Sequence, residues 1–240
     1  MKPEITCFLP QYAPITFQGG FVSAPLEIVL SEYCTWLKDR SRGFDVQTSS
    51  ANFHDVGSVF LSLQPVRDPW NRMLFVQTSE KWTALFCNGF RVADVSSSTA
   101  VLAARLRVSG IYYASCPSFR ASAGGSSEQQ GALKFAYYGR SSGASLTPER
   151  TVHLLQEDAK WRFSQQGVPM TWEDPTKYQS KAKVKRLSTD SIRKGLMAFS
   201  IRVDDETFFR RPCSIVTRQG LPASPGYSFA EARRLMGMNE

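Results

Sequence analysis

Residues Lys81–Cys116 read KWTALFCNGFRVADVSSSTAVLAARLRVSGIYYASC. Trp82, Ala84 and Phe86 alternate with Thr83, Leu85 and Cys87, the two-residue period of a strand. Asn88-Gly89 follows at once and predicts a hairpin turn, because both residues tolerate positive φ. Ser96–Ser98 then offer caps to a helix that presents Val101, Leu102, Arg105 and Leu106 at helical spacing, and Ser109-Gly110 stops it. Ile111–Ser115 is an aromatic strand. Strands and helices are therefore interspersed, but without the regular alternation of a doubly wound parallel sheet. The reading is α+β: a mixed, mostly antiparallel sheet with helices packed on one face.

Upstream, Pro25–Arg40 predicts a helix with Ser23 as cap, Glu27 in the first turn, and Lys38 and Arg40 in the last. Leu26, Val29, Leu30, Tyr33, Trp36 and Leu37 form its apolar face, and Gly43 ends it. Val59–Leu63 and Met73–Val76 are short apolar runs bounded by turn residues, which reads as strands. Downstream, Leu133–Tyr138 predicts a strand, and Thr151–Gln156 with Lys160–Ser164 a hairpin. Between the strands, 118–131 (SFRASAGGSSEQQG) is expected to be among the most mobile segments. Gln166-Gly167-Val168-Pro169 is a turn. Trp172-Glu173-Asp174-Pro175 opens a charged helix, with Asp174 capping ahead of Pro175. Another helix begins at Ser188-Thr189-Asp190 and carries Ile192, Leu196 and Phe199. Residues 1–211 are expected to form a single α+β domain. Residues 212–240, with Pro212, Pro222, Pro225 and Gly226, are expected to form an extended tail holding a short helix over Phe229–Met236. Trp36, Trp82, Phe86, Leu106 and Trp161 should share the core.

The chain has 240 residues, 42% of them apolar and 21% charged, which is ordinary globular composition. It contains no run of about 18 apolar residues, and no secretory leader is expected from Met1-Lys2-Pro3-Glu4. The five cysteines, Cys7, Cys34, Cys87, Cys116 and Cys213, form no CxxC pair and match no zinc spacing. Buried thiols in a reducing compartment, the cytoplasm, are expected.

Catalytic chemistry is thinly supplied. The two histidines are His54 and His153, and a Ser/His/Asp or Cys/His site must use one of them. His54-Asp55 are adjacent, so in a strand their side chains point apart. Cys87, just before Asn-Gly, is expected at a hairpin tip within reach of Arg91. Glu173-Asp174 is the candidate pair for acid/base work, although its neighbours favour a helix start. Asp204-Asp205-Glu206 reads as a solvated turn rather than a cation site. Gly19-Gly20 and Gly124-Gly125 lack the spacing of phosphate loops. No catalytic residue, cofactor or metal is assigned.

The charge is more informative. Lys plus Arg number 29 against 21 Asp plus Glu, a formal +8. The window 177–194 holds Lys177, Lys181, Lys183, Lys185, Arg186, Arg193 and Lys194 against a single acid, Asp190. In a helix, Lys177, Lys181 and Lys185 would fall on one face. Such a row suits solvent, nucleic acid or an acidic protein partner. Against nucleic acid, only Tyr178 interleaves with the charges, and no RNA- or DNA-binding signature accompanies them. Lys177, Lys181, Lys185, Arg186, Arg193 and Lys194 are the expected partner-binding residues.

The segments KWTALFCNGFRVADVSSSTAVLAARLR (81–107) and WRFSQQGVPMTWEDPTKYQSKAKVKRL (161–187) resemble a group of uncharacterised bacterial cytosolic proteins. The second carries a W-x-F…G-x-P…E-D…Y spacing. The likeness covers about a quarter of the chain, and its motifs are structural. Small α+β proteins of this sort resemble the immunity proteins that bacteria pair with interbacterial toxins. That resemblance implies a non-catalytic binding module that occludes a toxin, with no site residues to carry over. A nucleic-acid binder is the alternative, and an enzyme using Cys87 or His54 comes third. No membrane partner is expected.

Overall fold

The computed structural model describes residues 5–40, 45–50, 56–89, 95–118, 130–140, 146–157, 160–221 and 224–238. In chain order the elements are β1 (Gln18–Val22), α1 (Leu26–Arg40), β2 (Val46–Ser50), α2 (Val56–Leu61), β3 (Val66–Arg67), β4 (Arg72–Thr78), β5 (Thr83–Cys87) and α3 (Val95–Leu106). Then come β6 (Gly110–Cys116), β7 (Ala132–Tyr138), β8 (Arg150–Glu157), β9 (Lys160–Gln166), α4 (Thr189–Met197), β10 (Phe209–Arg218), β11 (Gly226–Tyr227) and α5 (Phe229–Leu235). Nine strands form one sheet in the order β2-β10-β4-β5-β1-β6-β7-β8-β9, and β11 pairs with β3 beside it. Every pairing in the large sheet is antiparallel. The α+β architecture is a direct consequence.

Pleating assigns the layers. A Cβ on Gly20 of β1 would strike Thr99 Oγ1 and approach Val95, so α3 lies against that face at a distance only glycine permits. Helix α1 packs beside α3 and reaches β4 and β10, with Tyr33 against Phe75 at 4.8 Å between ring centres. The two long helices share this face, but the helices are not confined to one face as expected, because the central strands are apolar on both sides and each side needs cover. On the other face, Phe21 meets Tyr113 and Phe208, and Ser115 bonds Thr6 O at 2.7 Å. That face is covered by the N-terminal segment, α2 and residues 170–208, where α4 packs on β6 and β7.

The apolar stripe of α1 largely matches the expectation. Leu26, Val29, Tyr33 and Leu37 are buried, while Leu30 and Trp36 are half-buried against the core. Its first N–H is held by Gln77 Oε1 of β4 at 3.0 Å rather than by Ser23. Gly43 lies outside the described residues, as do most of 118–131 and His54. Helix α3 ends where Arg107 adopts φ 54° and Val108 N–H bonds Ala103 O at 3.0 Å, a left-handed closure that satisfies a terminal carbonyl. Trp82 and Phe86 are buried, and Leu106 and Trp161 pack half-buried on the same core.

Three further expectations are corrected. Val59–Leu63 is not a strand, since Val56–Leu61 is helix α2. Asn88-Gly89 is not a hairpin turn. Asn88 is buried, and its Oδ1 accepts from the Asn71 and Arg72 N–H groups at 3.0 and 2.9 Å while Nδ2 donates to Pro65 O. It staples the entry to β4. The extended tail from Pro212 is instead β10, a strand between β2 and β4. A register shift between Arg210 and Cys213 places Pro212 in a bulge, where its missing N–H costs no ladder bond. The short terminal helix is present as α5, with a Ser228–Glu231 capping box.

Candidate functional site

The basic stretch is positioned by a buried ion pair at the start of β8. The side chains of Arg150 and Glu173 are 1% and 0% exposed. Arg150 Nε donates to Glu173 Oε1 at 2.8 Å, and a second guanidinium nitrogen bonds Oε2. The remaining donors reach Gly167 O and Gln165 Oε1, each at 2.8 Å, and Gln166 O at 3.1 Å. Glu173 also accepts from Met170 N–H at 2.9 Å and from the Tyr178 hydroxyl. Gly167 turns the chain out of β9 at φ 85°, where a side chain would strike Glu149 O. Each charge is thus matched by partners, the condition under which a buried pair is tolerated.

The protonation pattern arises from these contacts. Burial pushes the Glu173 carboxyl up. The Arg150 hydrogen bond and charge, the Met170 N–H and the Tyr178 hydroxyl outweigh that and hold it below its ordinary value. Burial and the neighbouring carboxylate push the Tyr178 phenol up. Glu173 is therefore held as a carboxylate that fastens the 167–178 segment to the β8–β9 hairpin. It is not an acid/base pair with Asp174, which is exposed and accepts from Thr176 N–H at 3.1 Å.

The clamp also sets the path of the chain beyond it. Residues 172–187 do not form the expected charged helix. They fold into 3₁₀ turns at Lys177–Gln179 and Lys183–Lys185, so the helical row of Lys177, Lys181 and Lys185 does not exist. Tyr178 packs on Phe163 of β9 at 5.0 Å. The Arg186 guanidinium lies 5.6 Å over the same ring and donates to Ser180 O at 2.8 Å. The turn at Lys183–Lys185 packs against β9. Lys177, Lys181, Lys183 and Lys185 are all exposed, and none belongs to an ion pair between described residues.

The other expected partner-binding residues differ. Lys194 is exposed on α4. Arg193 pairs with Asp190 and with Asp204 Oδ2, the latter at 2.6 Å, and lies over the Phe8 ring. Arg186 and Arg193 thus serve mainly to hold the surface together. Lys160 and Arg162 are also exposed on β9, on the face of the sheet opposite Phe163 and the 177–187 segment; their distance in sequence from the 177–194 window concealed them.

The remaining chemical candidates have structural roles or leave the site. Cys87 is 2% exposed within β5, not at a hairpin tip. No disulfide joins any of the five cysteines, and burial pushes the Cys7 and Cys116 thiols up to about 12. His153 stands on β8, its basicity lowered by burial and by Lys134. The acidic run is divided: Asp204 pairs with Arg193, Asp205 accepts from Thr207 N–H at 2.9 Å, and Glu206 accepts from Gln11 at 2.7 Å and Tyr12 at 3.0 Å. Among the described residues no group of three or more His, Cys, Asp or Glu could hold a metal ion, and no helix is long and apolar enough to cross a membrane. Comparisons with protein-family models, curated proteins and solved structures found no match.

Proposed function

We propose that this chain is a non-catalytic binding module that docks an acidic protein partner on the lysine surface of residues 177–185. One observation carries the reading: Lys177, Lys181, Lys183 and Lys185 stand exposed, outside any ion pair between described residues, on a stretch fastened by a buried ion pair. A surface fixed in this way is pre-organised, so binding does not have to order the backbone that displays the charge. Complementary potential then steers the encounter and selects against basic partners. An immunity-type role in a bacterial cytoplasm, with the bound chain occluding a toxin, is the concrete form of the reading. Five cysteines outside any disulfide suit that compartment.

Polyglutamate and duplex DNA serve as probes in a salt titration of the K177E/K181E/K185E variant against the parent chain. The reading expects polyglutamate to bind the parent and to lose most of its affinity for the variant. Tight DNA binding that falls by about one log unit per neutralised phosphate for each tenfold rise in salt would replace it with a nucleic-acid role. Equal behaviour of parent and variant toward both probes would reduce the stretch to a solvated face.

A further inference from the structure

Strand β9 is the outermost strand at its end of the sheet. In an antiparallel ladder, alternate residues of a strand bond to opposite neighbours. Gln156 N–H bonds Gly131 O at 2.9 Å, toward β7, and Gln156 stands opposite Trp161. The main-chain groups of Trp161, Phe163 and Gln165 therefore point away from β8. Among the described residues, no main-chain hydrogen bond outside the ladder engages them. Between described residues the edge is a row of open donors and acceptors.

The side chains along it are sorted by face. Trp161 and Phe163 are half-buried on the face that carries Tyr178 and Arg186. Lys160, Arg162 and Ser164 stand exposed on the other. Arg162 is tied to Glu157 at 2.7 Å, whereas Lys160, Lys183 and Lys185 enter no ion pair between described residues. A second copy pairing on this edge would bring like charges together, which guards against self-association. On the exposed face, Lys160 and Arg162 complement the acidic residues of an added strand.

We infer that the β9 edge accepts an extended segment of the acidic partner as an added antiparallel strand. Its apolar residues would lie beside Trp161 and Phe163, and its alternate acidic residues beside Lys160 and Arg162. This rests on the acidic-partner reading and adds to it the mode of binding and a sequence pattern for the bound segment.

The probe is a fluorescent peptide of alternating valine and glutamate, titrated against the full chain by anisotropy. A second peptide has the same sequence with alternate amides N-methylated, which removes strand donors and keeps every charge. The first should bind more tightly by on the order of tenfold or more, since several main-chain hydrogen bonds separate the two. Hydrogen exchange should slow at the Trp161, Phe163 and Gln165 amides when it binds. Equal affinity of the two peptides, or unprotected amides, would overturn the added strand while leaving the acidic-partner reading intact. A chain that holds polyglutamate but neither peptide would overturn the added strand in the same way, and one that binds none of the three loses both readings. A dimer of the free chain protected at those amides would mean that the edge is taken by a second copy.

Discussion

The two ends of the large sheet are finished in opposite ways. At one end β2 (Val46–Ser50) carries no charged residue and is backed by α1, across a cleft of about 490 Å³ lined by Leu26, Leu30, Cys34, Thr48 and Pro212 among others. Cys34 Sγ and Thr48 Oγ1 stand 3.6 Å apart there, and no ion pair between described residues spans the cleft. At the other end β9 is cationic, and among the described residues no long helix packs against it. Its backing is the 167–187 segment, held by Arg150, Glu173 and Tyr178. Apolar packing weakens by degrees as methylenes are removed. A buried ion pair fails abruptly when one partner goes, because the other is left charged and desolvated. The β9 end therefore holds a fixed charged surface without helical cover, and its integrity depends on one carboxylate.

Removing that carboxylate should have the largest effect. Glu173→Ala strands the Arg150 charge and is expected to cost about 3–5 kcal/mol, a fall in Tm of roughly 10 °C for a chain of this size. Arg150→Met/Glu173→Leu should be far less destabilising than Glu173→Ala, since it leaves no orphan charge. Urea melts of the single and double variants measure both. A Glu173→Ala cost under about 1 kcal/mol, below the range for a broken buried pair, would show that water reaches the pair and that the β9 end is not clamped.

This dependence was barely legible in the sequence, and the reason is physical. Strands β4 to β9 and helices α1, α3 and α4 announce themselves through a period of two or of 3.6 that neighbouring residues share. Arg150 and Glu173 lie far apart in sequence, and nothing local marks either as half of a pair. Glu173 looked like the start of a helix because Asp174-Pro175 is helix-opening chemistry. The like-charged lysines beyond it, however, oppose a long helix, and Tyr178 gains more by turning inward. Val59–Leu63 failed for another reason, since a short apolar run does not distinguish a strand from one helical turn and a half. Pro212 suggested a tail because a ladder has no place for it, and only the bulge provides one. The lysines themselves were legible, as charge needs no partner to be seen. What escaped was their scaffold and their neighbours on β9.

Acid should open the two ends in sequence. Glu173 has a lowered pKa in the folded chain, so its stabilising contribution is full above its unfolded pKa and is lost as pH falls through the folded value. Hydrogen exchange in mild acid should show the β8–β9 end loosening before α1 and β2. Tyr178→Phe removes one of the bonds that lower Glu173, at a cost of about 1.5–2 kcal/mol at neutral pH for a hydrogen bond to a charged group. It should also move the acid transition to higher pH. Simultaneous loosening of both ends would break the contrast.

A smaller effect is expected at the apolar end. Leu30→Ala trims a half-buried side chain facing the cleft and should cost about 1 kcal/mol, roughly half the value of a fully buried leucine. The loss should be the same at neutral and acidic pH, because no ion pair between described residues spans the cleft. A cost that changed with pH would mean that the cleft senses the charged end.

The smallest stability change should come from the residues with the largest proposed role. K177E/K181E/K185E reverses three exposed side chains, none of them in an ion pair between described residues. Surface substitutions of this kind usually shift stability by no more than about 0.5 kcal/mol. The direction can be favourable, since reversal relieves repulsion among neighbouring lysines and with Arg186. Calorimetry of the triple variant should therefore give a Tm within roughly 2 °C of the parent, while its affinity for polyglutamate collapses. The pairing of these results matters more than either alone, because lost binding with unchanged stability separates a docking surface from a structural one. A large fall in Tm would mean that the lysines hold the 167–187 segment through their aliphatic stems, and any loss of binding would then reflect a loosened β9 end rather than a missing charge.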